Sequence, residues 1–191
     1  MHPSVHPIRE SENAGNASHE ADFFDVIRDN HEEYYNRLCR SVKAYTYGSG
    51  LDPEDIVQDT FLKAVKSSEQ FKSNSSVYTW LFRIARNTCI DQLRKQKSQK
   101  NSGELTDFDD NLHGPEHVDA VERRESKRLV REAVKMLEPS YRELIVMKDL
   151  EQMKYAEISD ITGINEGTIK SRLFKARVLL KDNLQKLGYR P

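Results

Sequence analysis

Residues 155–172, Tyr155-Ala156-Glu157-Ile158-Ser159-Asp160-Ile161-Thr162-Gly163-Ile164-Asn165-Glu166-Gly167-Thr168-Ile169-Lys170-Ser171-Arg172, read as two helices broken by a short turn. Gly163 can take the left-handed conformation that often ends a helix, and Asn165 can cap the helix that follows. Ile158, Ile161 and Ile164 supply an apolar wedge that sets the angle between the two. This is the layout of a helix-turn-helix, whose second helix enters the major groove of DNA. Along that second helix Ile169, Leu173, Ala176 and Leu180 share one face. Lys170, Ser171, Phe174, Lys175 and Arg177 are left turned wholly or partly outward. Lys and Arg bond guanine edges or phosphates, Ser bonds either, and an exposed Phe meets a thymine methyl. A solvated basic face on a core helix is the plainer reading. A glycine turn, a cap and a basic outward face occurring together favour DNA contact over it.

Working outward, the helix after the turn extends from Glu166 to about Lys186. Upstream, Leu129, Val130, Ala133, Val134 and Leu137 keep a helical period that stops at Glu138-Pro139, and a further helix is expected over Tyr141 to Leu150. From Glu104 to Glu125 eight acids face two bases, with Gly103, Gly114 and Pro115 interrupting any period. This segment reads as an acidic linker between two domains.

Before the linker, a helix is expected from Val77 to Lys97, with Val77, Leu81, Ile84, Thr88 and Cys89 as its apolar stripe. Arg83, Arg86, Asn87, Arg94 and Lys97 gather opposite as a basic ridge. The ridge is preceded by Phe71, Tyr78, Trp80 and Phe82 and by the small polar loop Lys72-Ser73-Asn74-Ser75-Ser76. Basic residues interleaved with aromatics suit single-stranded DNA, whose unpaired bases stack on rings, and small polar groups suit a pocket for an extruded base. For Trp80 and Phe71 a core role is the stronger reading. Asp52-Pro53-Glu54-Asp55 starts an earlier helix, with Asp52 as cap and Pro53 at the first position. Ile56, Val57, Phe61, Ala64 and Val65 are expected on its packed face, and Glu54, Asp55, Gln58, Asp59 and Lys63 largely on its free one. Phe23 to Tyr45 reads as a further amphipathic helix, ended by Gly48 and Gly50. Residues 1 to about 20 lack an apolar period and read as a tail, in which His2, His6 and His19 fit no compact metal site.

The chain is therefore read as all-α, in two small helical domains joined by an acidic flexible linker, the C-terminal one containing the helix-turn-helix. The expected divisions are a tail over 1–21, a first domain over 22–97, the linker over 98–125 and a second domain over 126–187. The 191 residues suffice for two such modules, no run approaches a membrane span, and the N-terminus lacks a secretory signal, so a cytoplasmic location is expected. Cys39 and Cys89 read as buried free thiols rather than a disulfide or zinc ligands.

Three segments in order resemble the signatures of the extracytoplasmic-function (ECF) sigma factors, the two-domain sigma subunits of bacterial RNA polymerase. They are Asp52 to Ala64, Tyr78 to Asn87, and Tyr155 to Ile158 with Gly167 to Leu173. The resemblance spans about residues 22 to 187. It implies that the helix bearing Asp55, Gln58, Asp59 and Lys63 docks on core RNA polymerase. Phe71, Ser73, Asn74, Ser75, Ser76, Tyr78, Phe82, Arg83 and Asn87 would open and read the minus-ten element as a single strand. Lys170, Ser171, Arg172, Phe174, Lys175 and Arg177 would read the duplex minus-thirty-five element. Lys175 stands where the family often has Arg, which puts bidentate guanine readout there in question. The acidic linker would thread through the polymerase toward the RNA exit path. The partners implied are core polymerase, promoter DNA and an anti-sigma factor, often membrane-anchored, with no small-molecule substrate, cofactor, metal or catalytic residue.

A stand-alone helix-turn-helix regulator is the alternative, but it would not need the aromatic and basic segment from Phe71 to Lys97. An all-α hydrolase is disfavoured: Gly114 and Pro115 separate His113 from His117, and no nucleophile with a neighbouring base stands out. The net charge of -1 first argues against a nucleic-acid binder, yet it is a cancellation. Residues 80–100 carry +5 and residues 165–186 carry +4, while the first 33 residues and the acidic segment carry -6 each. Near-neutrality thus conceals two basic surfaces.

Overall fold

The computed structural model describes residues 10–71, 74–100 and 118–189, with side chains over 22–71, 74–98 and 125–189. Among these residues there are helices and no strands. The first bundle packs α1 (Glu10–Thr46), α2 (Pro53–Lys66) and α3 (Val77–Lys100), with one 3-10 turn at Ser68–Gln70. The second is built from α4 (Val118–Lys135), α5 (Pro139–Ile145), α6 (Tyr155–Thr162) and α7 (Glu166–Lys186), α5 running into a wide π-helical turn at Val146–Leu150.

Helix α1 begins inside the segment expected to be a tail. Helix propagation costs far less than nucleation, so the helix expected from Phe23 can extend back through Ala14, Ala17 and Ala21 even though Asn13, Gly15 and Asn16 are weak helix formers. The expected linker is likewise shorter at both ends, because α3 runs to Lys100 and α4 starts at Val118. Its remainder, with His113 and His117, lies outside the described residues, as do His2 and His6.

In α2 the expected cap forms: the Glu54 N–H donates to Asp52 Oδ1 at 2.8 Å, and Pro53 stands in the first turn. Ile56, Val57, Thr60 and Ala64 are buried, the Thr60 hydroxyl donating back to the Ile56 carbonyl at 2.7 Å. Val65, expected on the packed face, is 49% exposed beside Leu62 at 60%. The buried stripe of α2 is narrower than its apolar pattern, and these two side chains fall beyond it.

Helix α3 buries more than its expected stripe. Tyr78, Phe82 and Ala85 are buried along with Val77, Leu81, Thr88 and Cys89: α3 packs on α1 and α2, and its Tyr78, Thr79 and Arg86 side chains reach carboxylates of the second bundle. Phe71, Trp80 and Phe23 close one end of the core, with ring centroids 5.3 to 5.6 Å apart. Both cysteines are free, and burial pushes the Cys89 thiol up to about 12.

The second bundle is closed by Leu137, Leu144, Met147, Ile158, Ile169 and Leu173, all nearly inaccessible. Asn183, buried near the end of α7, donates to the Ala133 carbonyl of α4 at 3.1 Å. Arg142 donates to the Lys135 and Leu137 carbonyls at 2.6 and 3.1 Å, so one side chain takes up the last carbonyl of α4 and one just beyond it.

Candidate nucleic-acid interface

The turn between α6 and α7 forms as its residues dictate. Gly163 takes φ 71° at the end of α6, and the Thr168 N–H donates to Asn165 Oδ1 at 2.8 Å at the start of α7. At the other end of α6 the Lys154 N–H donates to Glu157 Oε2 at 2.8 Å. Ile158 and Ile161 are buried and Ile164 is half-buried, so the wedge is in place.

Helix α7 buries Ile169, Leu173 and Ala176 and presents the opposite face to solvent. Phe174 is 73% exposed, well beyond what a core role allows. Among the described residues Arg172 has no ion pair, and Lys175 makes only a cation-π approach, 5.8 Å from the Tyr141 ring. The Ser171 hydroxyl donates to the Thr168 carbonyl at 3.0 Å. Lys170 sits 3.8 Å from Glu166 and 5.1 Å from the Tyr155 ring. Arg177 departs from expectation: its Nε and Nη2 grip Asp149 at 3.2 and 2.5 Å, and that hydrogen bonding holds its pKa above the usual arginine range. This bidentate pair, made along one edge of the guanidinium, braces α7 against the π-helical turn and draws Arg177 away from the open face. The side chains left open on the outward face of α7 are therefore Ser171, Arg172, Phe174 and Lys175.

On the first bundle, Glu54, Asp55 and Gln58 are exposed on α2 and Asp59 is half-exposed, with Leu62 and Val65 adding apolar surface to that face. Lys63 bridges inward, its ammonium 2.9 Å from both Asp59 and the Thr88 hydroxyl. The residues expected to handle single-stranded DNA are dispersed. Asn74 and Asn87 are exposed, Ser75 and Arg83 are half-buried, and Ser73 lies outside the described residues. Ser76 is a helix cap rather than part of a free base pocket, its Oγ accepting from the Thr79 N–H at 3.0 Å. Phe71 packs in the aromatic cluster. Phe82, 2% exposed, lies inward against Tyr45 and Tyr78 and has no face left for a base. Tyr78 is buried too: its ring packs against Tyr34, Phe82 and Arg37 of the first bundle, while its hydroxyl reaches the second and donates to Glu151 Oε2 at 2.8 Å. Burial and the Glu151 carboxylate both push the Tyr78 phenol well above its ordinary value.

The bundles share one apolar cluster, and a set of polar contacts joins them as well. Glu151 also receives the Arg37 guanidinium at 3.1 Å and a short hydrogen bond from the Ser41 hydroxyl. The Thr79 hydroxyl donates to Glu157 at 3.2 Å, Arg86 pairs closely with Glu143, and the Tyr47 hydroxyl donates to Glu132 at 3.0 Å. Sequence reasoning missed Arg37, Ser41, Glu143 and Glu151. The signal was faint: Ser41 interrupts the apolar face that runs through Leu38, Val42 and Tyr45.

These features define an all-helical, two-bundle protein whose second bundle is a helix-turn-helix. The Sigma-70 region 2 family profile matches residues 31–99, and Sigma-70, region 4 matches residues 127–180. The ECF RNA polymerase sigma-E factor of Haemophilus influenzae is 31% identical over 162 residues, covering 81% of this chain and 85% of that protein. The ECF RNA polymerase sigma factor SigW of Bacillus subtilis is 30% identical over 174 residues, 87% of this chain and 91% of its own. Among solved structures, the sigma factor RpoE of Bartonella quintana, in complex with the anti-sigma factor NepR, is similar with TM-score 0.67 and 25% identity over 84% of this chain and 97% of that one. CnrH, solved with the cytosolic domain of CnrY, shares the fold at TM-score 0.61 and 21% identity, over 91% of this chain and 94% of its own. The chain belongs to the ECF sigma factors of the sigma-70 family, and it acts as a sigma factor in transcription initiation. Sigma factors as a family are not enzymes. Among the described residues no helix is long and apolar enough to cross a membrane.

Proposed function

We propose that this chain joins core RNA polymerase in the cytoplasm and directs it to promoters without chemistry of its own, its first domain serving assembly and melting and its second serving duplex readout. The observation that carries the reading is the Asn165-capped helix α7, which offers Arg172, Phe174 and Lys175 outward while Leu173 and Ala176 anchor it. Asp55, Gln58 and Asp59, with the exposed Leu62 and Val65, form the docking face for the polymerase. Asn74, Ser75, Arg83 and Asn87 handle the opened minus-ten strand, and Tyr78 joins them once the second bundle has moved away. Melting needs no hydrolysis in this scheme: captured bases offset lost stacking, and the polymerase supplies most of the grip on DNA. The similar RpoE was solved with an anti-sigma factor, and we assign this chain a partner of the same kind that covers its polymerase-binding surfaces.

The test is run-off transcription from a promoter-bearing template with core polymerase, with and without this chain. Transcripts that depend on the chain support the reading, and chain-independent transcripts contradict it. Reversing charge on the docking face, with Asp55→Lys and Asp59→Lys together, is expected to weaken assembly about tenfold or more, because each carboxylate facing a basic partner becomes a like charge. Co-purification with core polymerase at an unchanged level would remove α2 from the docking role.

A further inference from the structure

Three donors of the first bundle converge on one carboxylate of the second. The Arg37 guanidinium and the Tyr78 phenol reach Glu151 Oε2 at 3.1 and 2.8 Å, and the Ser41 hydroxyl donates to Oε1. The Glu151 side chain is 4% exposed, so the three donors enclose it almost completely. All three stand on α1 and α3, which pack against each other with Leu38, Val42 and Leu81 buried in the shared core. Their spacing thus belongs to the first bundle and does not depend on the second. The Arg37 guanidinium carbon lies 3.9 Å from the centre of the Tyr78 ring, which fixes the direction in which it donates.

A guanidinium and two hydroxyls aimed at a pair of terminal oxygens suit a phosphodiester as well as a carboxylate, since both are monoanions with two accepting oxygens. The setting favours the phosphodiester. Helix α3 continues from Tyr78 into Arg83, Arg86 and Asn87, and two more carboxylates of the second bundle, Glu157 and Glu143, lie along it on Thr79 and Arg86. The second bundle therefore lays a row of negative charges over the basic side of α3, in the manner of a nucleic-acid strand. A cleft of about 360 Å³ opens beside Glu151, bordered by Asn30, Tyr34, Ser76 and Thr79.

We propose that Arg37, Ser41 and Tyr78 bind a backbone phosphate of the promoter's displaced single strand, and that Glu151 occupies their site in the free chain. The inference rests on the sigma-factor reading, which supplies the nucleic acid. DNA and Glu151 compete for one set of donors, so the free chain holds single strands weakly until the second bundle moves off.

The test uses the full chain and a fluorescein-labelled single strand of about 20 nucleotides of mixed sequence, read by anisotropy across a salt series. Glu151→Gln is expected to raise affinity about tenfold, the effect of weakening a charge-assisted set of hydrogen bonds. Adding Arg37→Ala should return affinity to the wild-type level and flatten the salt dependence by about 0.7 in log–log slope, the value for one lost phosphate contact on a single strand. Tyr78→Phe, added to Glu151→Gln instead, removes one hydroxyl while keeping the ring. It should lower affinity with the slope unchanged.

Unchanged affinity on Glu151→Gln overturns the proposal at its first step. A slope that Arg37→Ala leaves unaltered overturns the phosphate site and leaves the three donors to a carboxylate of a protein partner. Circular dichroism monitors folding, and Ser41→Ala replaces any second substitution that disturbs it. Run-off transcription by the wild-type chain with core polymerase is read separately. Absent transcripts would count against the sigma-factor reading whatever the anisotropy gives.

Discussion

Replacing Arg172 and Lys175 together by alanine is expected to abolish preference for the upstream promoter element while assembly with core polymerase stays at the wild-type level. Each base-edge contact in the major groove discriminates by about 1–3 kcal/mol, so the pair together is worth about 30-fold at the low end. That figure applies to these two because both are exposed, Arg172 has no ion pair among the described residues, and Lys175 makes only a distant approach to Tyr141. Arg177→Ala should act differently. That guanidinium is held by Asp149, so its loss should lower the stability of the second bundle before it changes which sequence is read. The measurement is initiation from duplex templates with intact and scrambled upstream elements. Equal loss of promoter preference and of polymerase binding by the double variant would contradict its assignment to readout.

Leu173→Ala carries the largest expected effect on stability. The side chain is 1% exposed at the centre of the second bundle, and truncating a leucine there costs about 2–5 kcal/mol. In a bundle of this size each kcal/mol moves the midpoint by about 4–8 °C, so thermal unfolding should shift down by about 10 °C or more. Phe174→Ala, one residue further on, is the contrast. With that ring 73% exposed, stability should stay within about 0.5 kcal/mol of the parent, while preference for the upstream element falls. A stability loss of similar size for both substitutions would mean that α7 does not present Phe174 to solvent.

These contrasts follow from what was legible in the sequence. The bounds of α6 and α7 were readable because Gly163 and Asn165 mark them chemically, one by a left-handed backbone and the other by a side-chain cap. The start of α2 was readable for the same reason at Asp52 and Pro53. The start of α1 was not, since residues 10–21 carry no apolar period and include the weak helix formers Asn13, Gly15 and Asn16. The site was legible in residue type more than in placement. Phe82 and Tyr78 look alike in sequence as aromatics beside a basic ridge, yet Phe82 belongs to the core whereas Tyr78 meets the second bundle. Glu151 and its donors are separated by 73 to 114 residues, and no local pattern carries a pairing over that distance.

The net charge of -1 takes on a structural meaning from the same contacts. Positive residues of α1 and α3 are not merely balanced elsewhere along the chain: Arg37 and Arg86 are met directly by Glu151 and Glu143. A protein whose acids cover part of its own basic surface holds nucleic acid weakly when free. In the proposed scheme, assembly with polymerase would supply both the further charge and the occasion for the two bundles to part.

Whether this chain gives core polymerase its promoter choice can be read most directly by reconstituting the two with a library of randomised promoter templates and sequencing the transcribed molecules. Enrichment of two elements at a fixed spacing is expected, the upstream one lost with Arg172→Ala and Lys175→Ala, with no enrichment from core polymerase alone. Specific duplex binding by the chain without polymerase, together with no change in the templates transcribed when it is added, would contradict it.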